Sequence, residues 1–291
     1  MPGYSGPLSK LPQPEVEEDE ATKRVVAAAE AAAATSADQE SQSAVSEGLL
    51  QRPALVAEFL SGCSLGSAIA RQADFLSSNL VLTKVALDAA RGMEYCHGKR
   101  VTHWNLKTGN LIVGFSSDKV PLCKIADVGL SRPRQLHALD EVGVARVLPW
   151  AAPELCRTPE SVNEKVDVYS FGVVLWSMWS RRNPSDGQEI ARMFLRIMQG
   201  HVVRPPIPGT PEWEAVFPGA PCPPEPAPGW RELMERCWAQ DPAARPSFSE
   251  VTASLITMFN SAKASKRAAR AAAATAGGDP KLGKGNPVRA G

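Results

Sequence analysis

The stretch from 166 to 179, VDVYSFGVVLWSMW, constrains the fold more than any other part of the chain. It is apolar almost throughout, broken only by Asp167 and a few small polar residues. At 1.5 Å per residue it reaches roughly 20 Å, short of the roughly 30 Å hydrocarbon core of a bilayer. It therefore predicts a helix buried inside a globular domain rather than a membrane span. The chain of 291 residues is long enough for one large domain or two small ones. Hydrophobic residues make up 44% and charged residues 22%, ordinary values for a soluble globular protein. The formal net charge is +1, so no global field points to nucleic acid or to a membrane surface.

The ends differ from the middle. Residues 1–52 hold Pro2, Pro7, Pro12 and Pro14, then an acidic run from Glu15 to Glu20, then an alanine block. Alanine favours helix, but the segment has few large side chains with which to anchor a core, so it reads as low-complexity sequence. Residues 260–291 form a basic tail: Lys263, Lys266, Arg267, Arg270, Lys281, Lys284 and Arg289 stand against Asp279. It has no apolar periodicity and reads as a flexible extension. The domain is expected over 53–259. The six cysteines are scattered without zinc-ligand spacing, and no secretory leader is apparent. Both features predict a reducing, cytoplasmic setting.

Within 53–259 the pattern alternates between element types. Residues 54–60 read as a short strand and Ser61-Gly62-Cys63-Ser64 as a turn, with a helix starting near Leu65. Leu82, Val85, Ala89, Met93 and Cys96 share one face of a helix that Gly98 ends. Residues 110–114 and 122–126 read as a hairpin. Residues 204–228 form a proline-rich connector before a helix beginning at Trp230.

His103-Trp104-Asn105-Leu106-Lys107-Thr108-Gly109-Asn110 is followed by Ala126-Asp127-Val128-Gly129 and then by Ala152-Pro153-Glu154. In order and spacing this set resembles the signature of the eukaryotic protein kinase family: catalytic loop, metal-binding loop and end of the activation segment. Asp167-Val168-Tyr169-Ser170-Phe171-Gly172, Cys237-Trp238 and Arg245-Pro246 resemble its later helices, and Leu55-Val56-Ala57-Glu58-Phe59-Leu60 resembles its hinge strand. Lys107 marks the serine/threonine form of the loop. Leu148-Pro149-Trp150 and Arg204-Pro205-Pro206-Ile207-Pro208 resemble the tyrosine-kinase-like group, near the Raf and mixed-lineage kinases. The resemblance implies an α+β protein-kinase-like fold, mainly the helical C-lobe with a small β-hairpin. It also implies ATP and Mg as cofactors. Asp127 and Asn110 would hold metal, Lys107 would meet the transferring phosphoryl group, and Glu58, Leu60 and Ile112 would border the adenine. Glu154 and Arg245 resemble the family's buried ion pair, and Asp167 the residue that supports the catalytic loop from below.

Three departures fall where the chemistry would be. Asn105 stands at the position of the catalytic aspartate, and a neutral amide cannot accept the substrate proton. Loss of one acid–base group costs about 10²–10⁴-fold in rate. Trp104 replaces the arginine that pairs with a phosphorylated activation loop, and Val147 replaces a threonine near the substrate platform. Before the hinge there is no glycine-rich loop, and neither Lys10 nor Lys23 resembles the family's third-strand lysine, so the N-lobe is expected to be absent or vestigial. These features predict a truncated pseudokinase that binds a protein partner or a kinase substrate, with no nucleic acid and no membrane span. The alternative is an active or weakly active serine/threonine kinase.

Overall fold

In the computed structural model, which describes residues 58–59, 61–116, 120–128 and 146–276, the apolar stretch is a helix with every residue from Val166 to Ser180 buried. Side chains are described as far as residue 268. The chain divides between Glu58 and Phe59 into two units, and the structure below belongs to the second. In chain order its elements are β1 (Gly62–Ser64), α1 (Leu65–Ala70), α2 (Asn79–Gly98), β2 (Leu111–Phe115), β3 (Pro121–Ile125), α3 (Pro153–Arg157), α4 (Lys165–Ser180), α5 (Ile190–Met198), α6 (Pro211–Val216), α7 (Trp230–Cys237) and α8 (Phe248–Ala276). Short 3₁₀ turns occur at Asp74–Ser77, Thr108–Asn110, Leu148–Trp150 and Pro242–Ala244. No helix among the described residues is long and apolar enough to cross a membrane.

The described domain is mostly helical with one small antiparallel sheet in the order β1-β2-β3. Gly62–Ser64, read from sequence as a turn, is instead an edge strand, with Cys63 opposite Val113. Its shortness and small residues hide it from pattern reading, and the expected hairpin is therefore one half of a three-stranded sheet. Val113 pairs with Cys123 across β2 and β3, and both side chains are buried. Alternate residues share a sheet face, so this pair belongs to the core side. Asp88 of α2 fixes the sheet edgewise: its Oδ2 accepts from the Cys123 amide at 3.3 Å, while its carboxylate holds Lys84 Nζ at 2.6 Å.

The expected buried face of α2 is present. Leu82, Val85, Ala89 and Met93 are buried, and Cys96 is half-buried. The central helix α4 passes so close to α7 that glycine is required at 172. A Cβ there would lie 2.9 Å from the Trp238 amide nitrogen and 3.1 Å from the Cys237 Cβ. Trp176, Trp179 and Trp238 are all core residues. The proline-rich connector is more structured than its composition suggests, because Thr210 caps α6 through the Trp213 amide and Trp213 buries against Trp176. The basic tail also departs from expectation. α8 runs on to Ala276, and residues 263–268 are exposed. Alanine's high helix propensity carries the helix past the end of its buried face.

Glu154 and Arg245 form the expected ion pair. Arg245 Nη2 donates to Glu154 Oε2 at 3.0 Å, and the Arg245 side chain is fully buried. Its remaining donors reach the carbonyls of Ala239 (2.8 Å) and Lys165 (3.1 Å), and its guanidinium lies 5.0 Å from the Tyr169 ring centroid. A buried guanidinium thus has most of its hydrogen bonds met, the condition under which burying its charge is tolerable. The pair ties α3, the start of α4 and the turn before α8 together.

Candidate active site

The loop between α2 and β2 is shaped by one carboxylate. Asp167, in the first turn of α4, accepts from the His103 amide at 2.8 Å and from the Trp104 amide at 2.9 Å. His97 Nε2 lies 2.9 Å from the same carboxylate. An ionised carboxylate only accepts, so His97 Nε2 carries the hydrogen. Aiming two successive amides at one side chain requires an unusual backbone, and Trp104 adopts φ +68°. That left-handed conformation costs a non-glycine residue about 1–2 kcal/mol. Asp167 is what holds it.

His103 is fully buried, and its Nε2 lies 3.0 Å from the Ala126 carbonyl. A carbonyl only accepts, so this ring also carries its hydrogen on Nε2. Nδ1 then faces the Asn105 amide at 3.4 Å as acceptor. The histidine joins the loop to the end of β3, as a core residue bonded locally.

Asn110 completes the brace. Its Nδ2 donates to the Asn105 carbonyl at 2.9 Å, and its own carbonyl accepts from the Ala126 amide at 2.8 Å. The next residue, Asp127, is exposed and has φ +60°. Lys107 reaches across to the Arg146 carbonyl, Nζ to O 3.4 Å. Burial pushes the Lys107 pKa down, the Asp127 charge pulls it back up, and the Arg146 charge lowers it further. Asn105, Lys107, Asn110 and Asp127 therefore form one constellation. Val147, beside Arg146, packs half-buried against the core. Ile112 is half-buried on β2, between Ser64 and Lys124. Glu58 is exposed and falls in the other unit, and Leu60 lies outside the described residues. Residues 1–57, over which an absent or vestigial N-lobe is expected, also lie outside them.

Two contributors are invisible to sequence reasoning. His97 is the third partner of Asp167 across a separation of 70 residues, and Arg146 meets Lys107 across 39. Neither carries a local signal.

A family model described as protein tyrosine and serine/threonine kinase matches residues 43–255. The chain belongs to the protein kinase family. Among similar curated proteins, the probable serine/threonine-protein kinase SIS8 of Arabidopsis thaliana is 34% identical over 72% of this chain and 18% of its own length. The serine/threonine/tyrosine-protein kinase HT1 of the same plant is 32% identical over 69% of this chain and 46% of its own. The probable serine/threonine-protein kinase drkD of Dictyostelium discoideum is 34% identical over 68% of this chain and 14% of its own. The chain thus matches less than half the length of these relatives.

Kinases of this family use ATP and magnesium in general. The donor chemistry here fits such a cation: a carboxylate at Asp127 and an amide oxygen at Asn110 are hard oxygen ligands of the kind magnesium takes beside phosphate and water. Asn110 Nδ2 is spent on the loop, and its Oδ1 is the oxygen it could give.

Proposed function

We propose that this kinase-fold chain is a pseudokinase of the tyrosine-kinase-like group, one that binds a protein segment in phosphorylation signalling and does not phosphorylate it. The observation that carries the reading is Asn105. Its backbone is braced by Asn110 and His103, so the loop keeps its shape while the side chain that would take the substrate proton is a neutral amide. The position next to it is also without the family's cation, since Trp104 offers one ring donor and no charge. What remains is a folded lobe with a shaped face beside Lys107.

In this reading Asn110 and Asp127 would hold magnesium and Lys107 would face phosphate if nucleotide bound, with Ile112 toward the base. A bound magnesium would neutralise phosphate charge, and Lys107 would orient the group beside it. A ligand that binds the native state raises the melting midpoint by mass action. A cooperative melt of the chain, unshifted by Mg-ATP, is the expected result; an upward shift would move the balance to a nucleotide-using site.

A second reading keeps weak serine/threonine kinase activity. The retained Lys107, Asn110 and Asp127 constellation favours it, because positioning supplies much of the rate of phosphoryl transfer. Its mark is turnover that depends on Asp127.

A further inference from the structure

We propose that the cavity between α1, the turn at 181–186 and the prolines at 221–224 is a subsite for a negatively charged side chain of a bound polypeptide. The proposal rests on the reading that this face docks a protein segment, and names the chemistry of that segment. The cavity holds about 720 Å³ and borders the catalytic loop through Thr108, the residue after Lys107. Loop and cavity wall are close-packed there: a Cβ on Gly66 would lie 3.1 Å from Thr108 Oγ1.

Arg181 lines the cavity at the end of α4, where its φ is +55°. Its carbonyl is fixed by Gln72 Nε2 at 3.1 Å, and Gln72 is anchored in turn to the Ile69 carbonyl at 3.1 Å. Arg181 Nε is buried and, among the described residues, has no hydrogen-bond partner. Buried polar groups in native proteins are almost always paired, so an acceptor for this N–H is expected from outside the described residues. Beside it in the lining, the guanidinium of Arg182 lies 4.3 Å from the Phe217 ring centroid and 5.6 Å from that of Trp213, and no carboxylate among the described residues pairs with it. Among the described lining residues one is acidic, Asp186, and its Oδ2 accepts from the Asn183 amide at 3.0 Å.

Two arginines against one carboxylate leave the lining net positive, a balance that favours an anion. The guanidinium fork matches carboxylate and phosphate oxygens in pairs. Ile69, Ala70 and the prolines supply apolar wall beside the charge, which suits a side chain entering from a polypeptide better than a hydrated free ion. Glutamate, aspartate and phosphoserine share the required chemistry.

The test uses the full chain and short labelled peptides with a central serine preceded by glutamate, phosphoserine, alanine or lysine, read by fluorescence anisotropy. The glutamate and phosphoserine peptides should bind about tenfold more tightly than the alanine peptide, the scale of one charge-assisted hydrogen bond, and the lysine peptide most weakly. Arg181→Gly should abolish the preference while melting like the wild type, since glycine suits the left-handed backbone at that position. Arg181→Lys should retain part of it. Whichever of the two anionic peptides binds more tightly identifies the source of the charge. Equal affinity for all four peptides overturns the subsite and leaves the docking reading standing. Binding by none overturns both. A preference that survives Arg181→Gly, or displacement by inorganic phosphate at the peptide's own concentration, overturns the assignment to this cavity or to a polypeptide.

Discussion

Replacing Asp167 with alanine should destabilise the domain more than any other change at a loop-facing position. The substitution leaves the His103 and Trp104 amides without their acceptor and removes the partner of His97. A hydrogen bond to a charged group contributes about 1.5–3 kcal/mol, so the two backbone bonds together contribute about 3–6 kcal/mol. Trp104, released from φ +68°, recovers about 1–2 kcal/mol of strain. The net loss is therefore about 1–5 kcal/mol, which at its upper end is a large share of the roughly 5–15 kcal/mol that holds a typical domain folded. Asp167→Asn keeps one acceptor and should lose about half as much. Urea unfolding followed by tryptophan fluorescence reads the difference as a lower midpoint at unchanged slope. Hydrogen exchange at the two amides should show protection lost locally in the alanine variant. A variant within about 0.5 kcal/mol of wild type, with both amides still protected, would refute the assignment of Asp167 as the support of the loop.

Arg245→Ala should cost about 3–5 kcal/mol in the same urea assay, because it leaves the Glu154 carboxylate and two backbone carbonyls without their donor; a loss below about 1 kcal/mol would mean the pair behaves as a surface bridge. Burial pushes the thiols of Cys123, Cys156 and Cys237 up to about 12 from a usual value of 9.0. The unfolded chain therefore releases these protons first, and stability should fall as pH rises through the interval from 9 to about 12, by about 1.4 kcal/mol per pH unit for each thiol. Thermal melts across that interval should show the decline, and Cys237→Ala should reduce its slope; a midpoint independent of pH would contradict the burial of these groups. Native-state alkylation should label Cys222, which is exposed, well before Cys123, Cys156 or Cys237, as peptide mass spectrometry will show; early labelling of Cys237 would indicate that α4 and α7 separate.

What could be read from sequence follows from the range of the interactions. The 166–179 helix was legible because unbroken apolarity is a local property, and the buried face of α2 because 3.6-residue periodicity is local as well. The motif order located Asn105, Lys107, Asn110 and Asp127, and the structure brings them together. Gly62–Ser64 looked like a turn because its small residues carry no strand preference; β1 exists through pairing with β2, a contact made across about fifty residues. The helix beyond residue 260 was missed for the opposite reason. Charge and lack of apolar spacing suggested an irregular tail, whereas alanine propensity alone suffices to continue a helix already nucleated by its buried turns. The partnership of His97 with Asp167, and the burial of Arg181 Nε without a partner among the described residues, depend on tertiary placement and leave no trace in local pattern.

The account turns on whether this kinase-fold chain transfers phosphate, and the most direct measurement is phosphate transfer from labelled Mg-ATP to a general protein substrate by the wild type and by Asp127→Ala, side by side. The account predicts that the two give the same background rate. Transfer by the wild type that disappears in Asp127→Ala would contradict it and establish an active kinase.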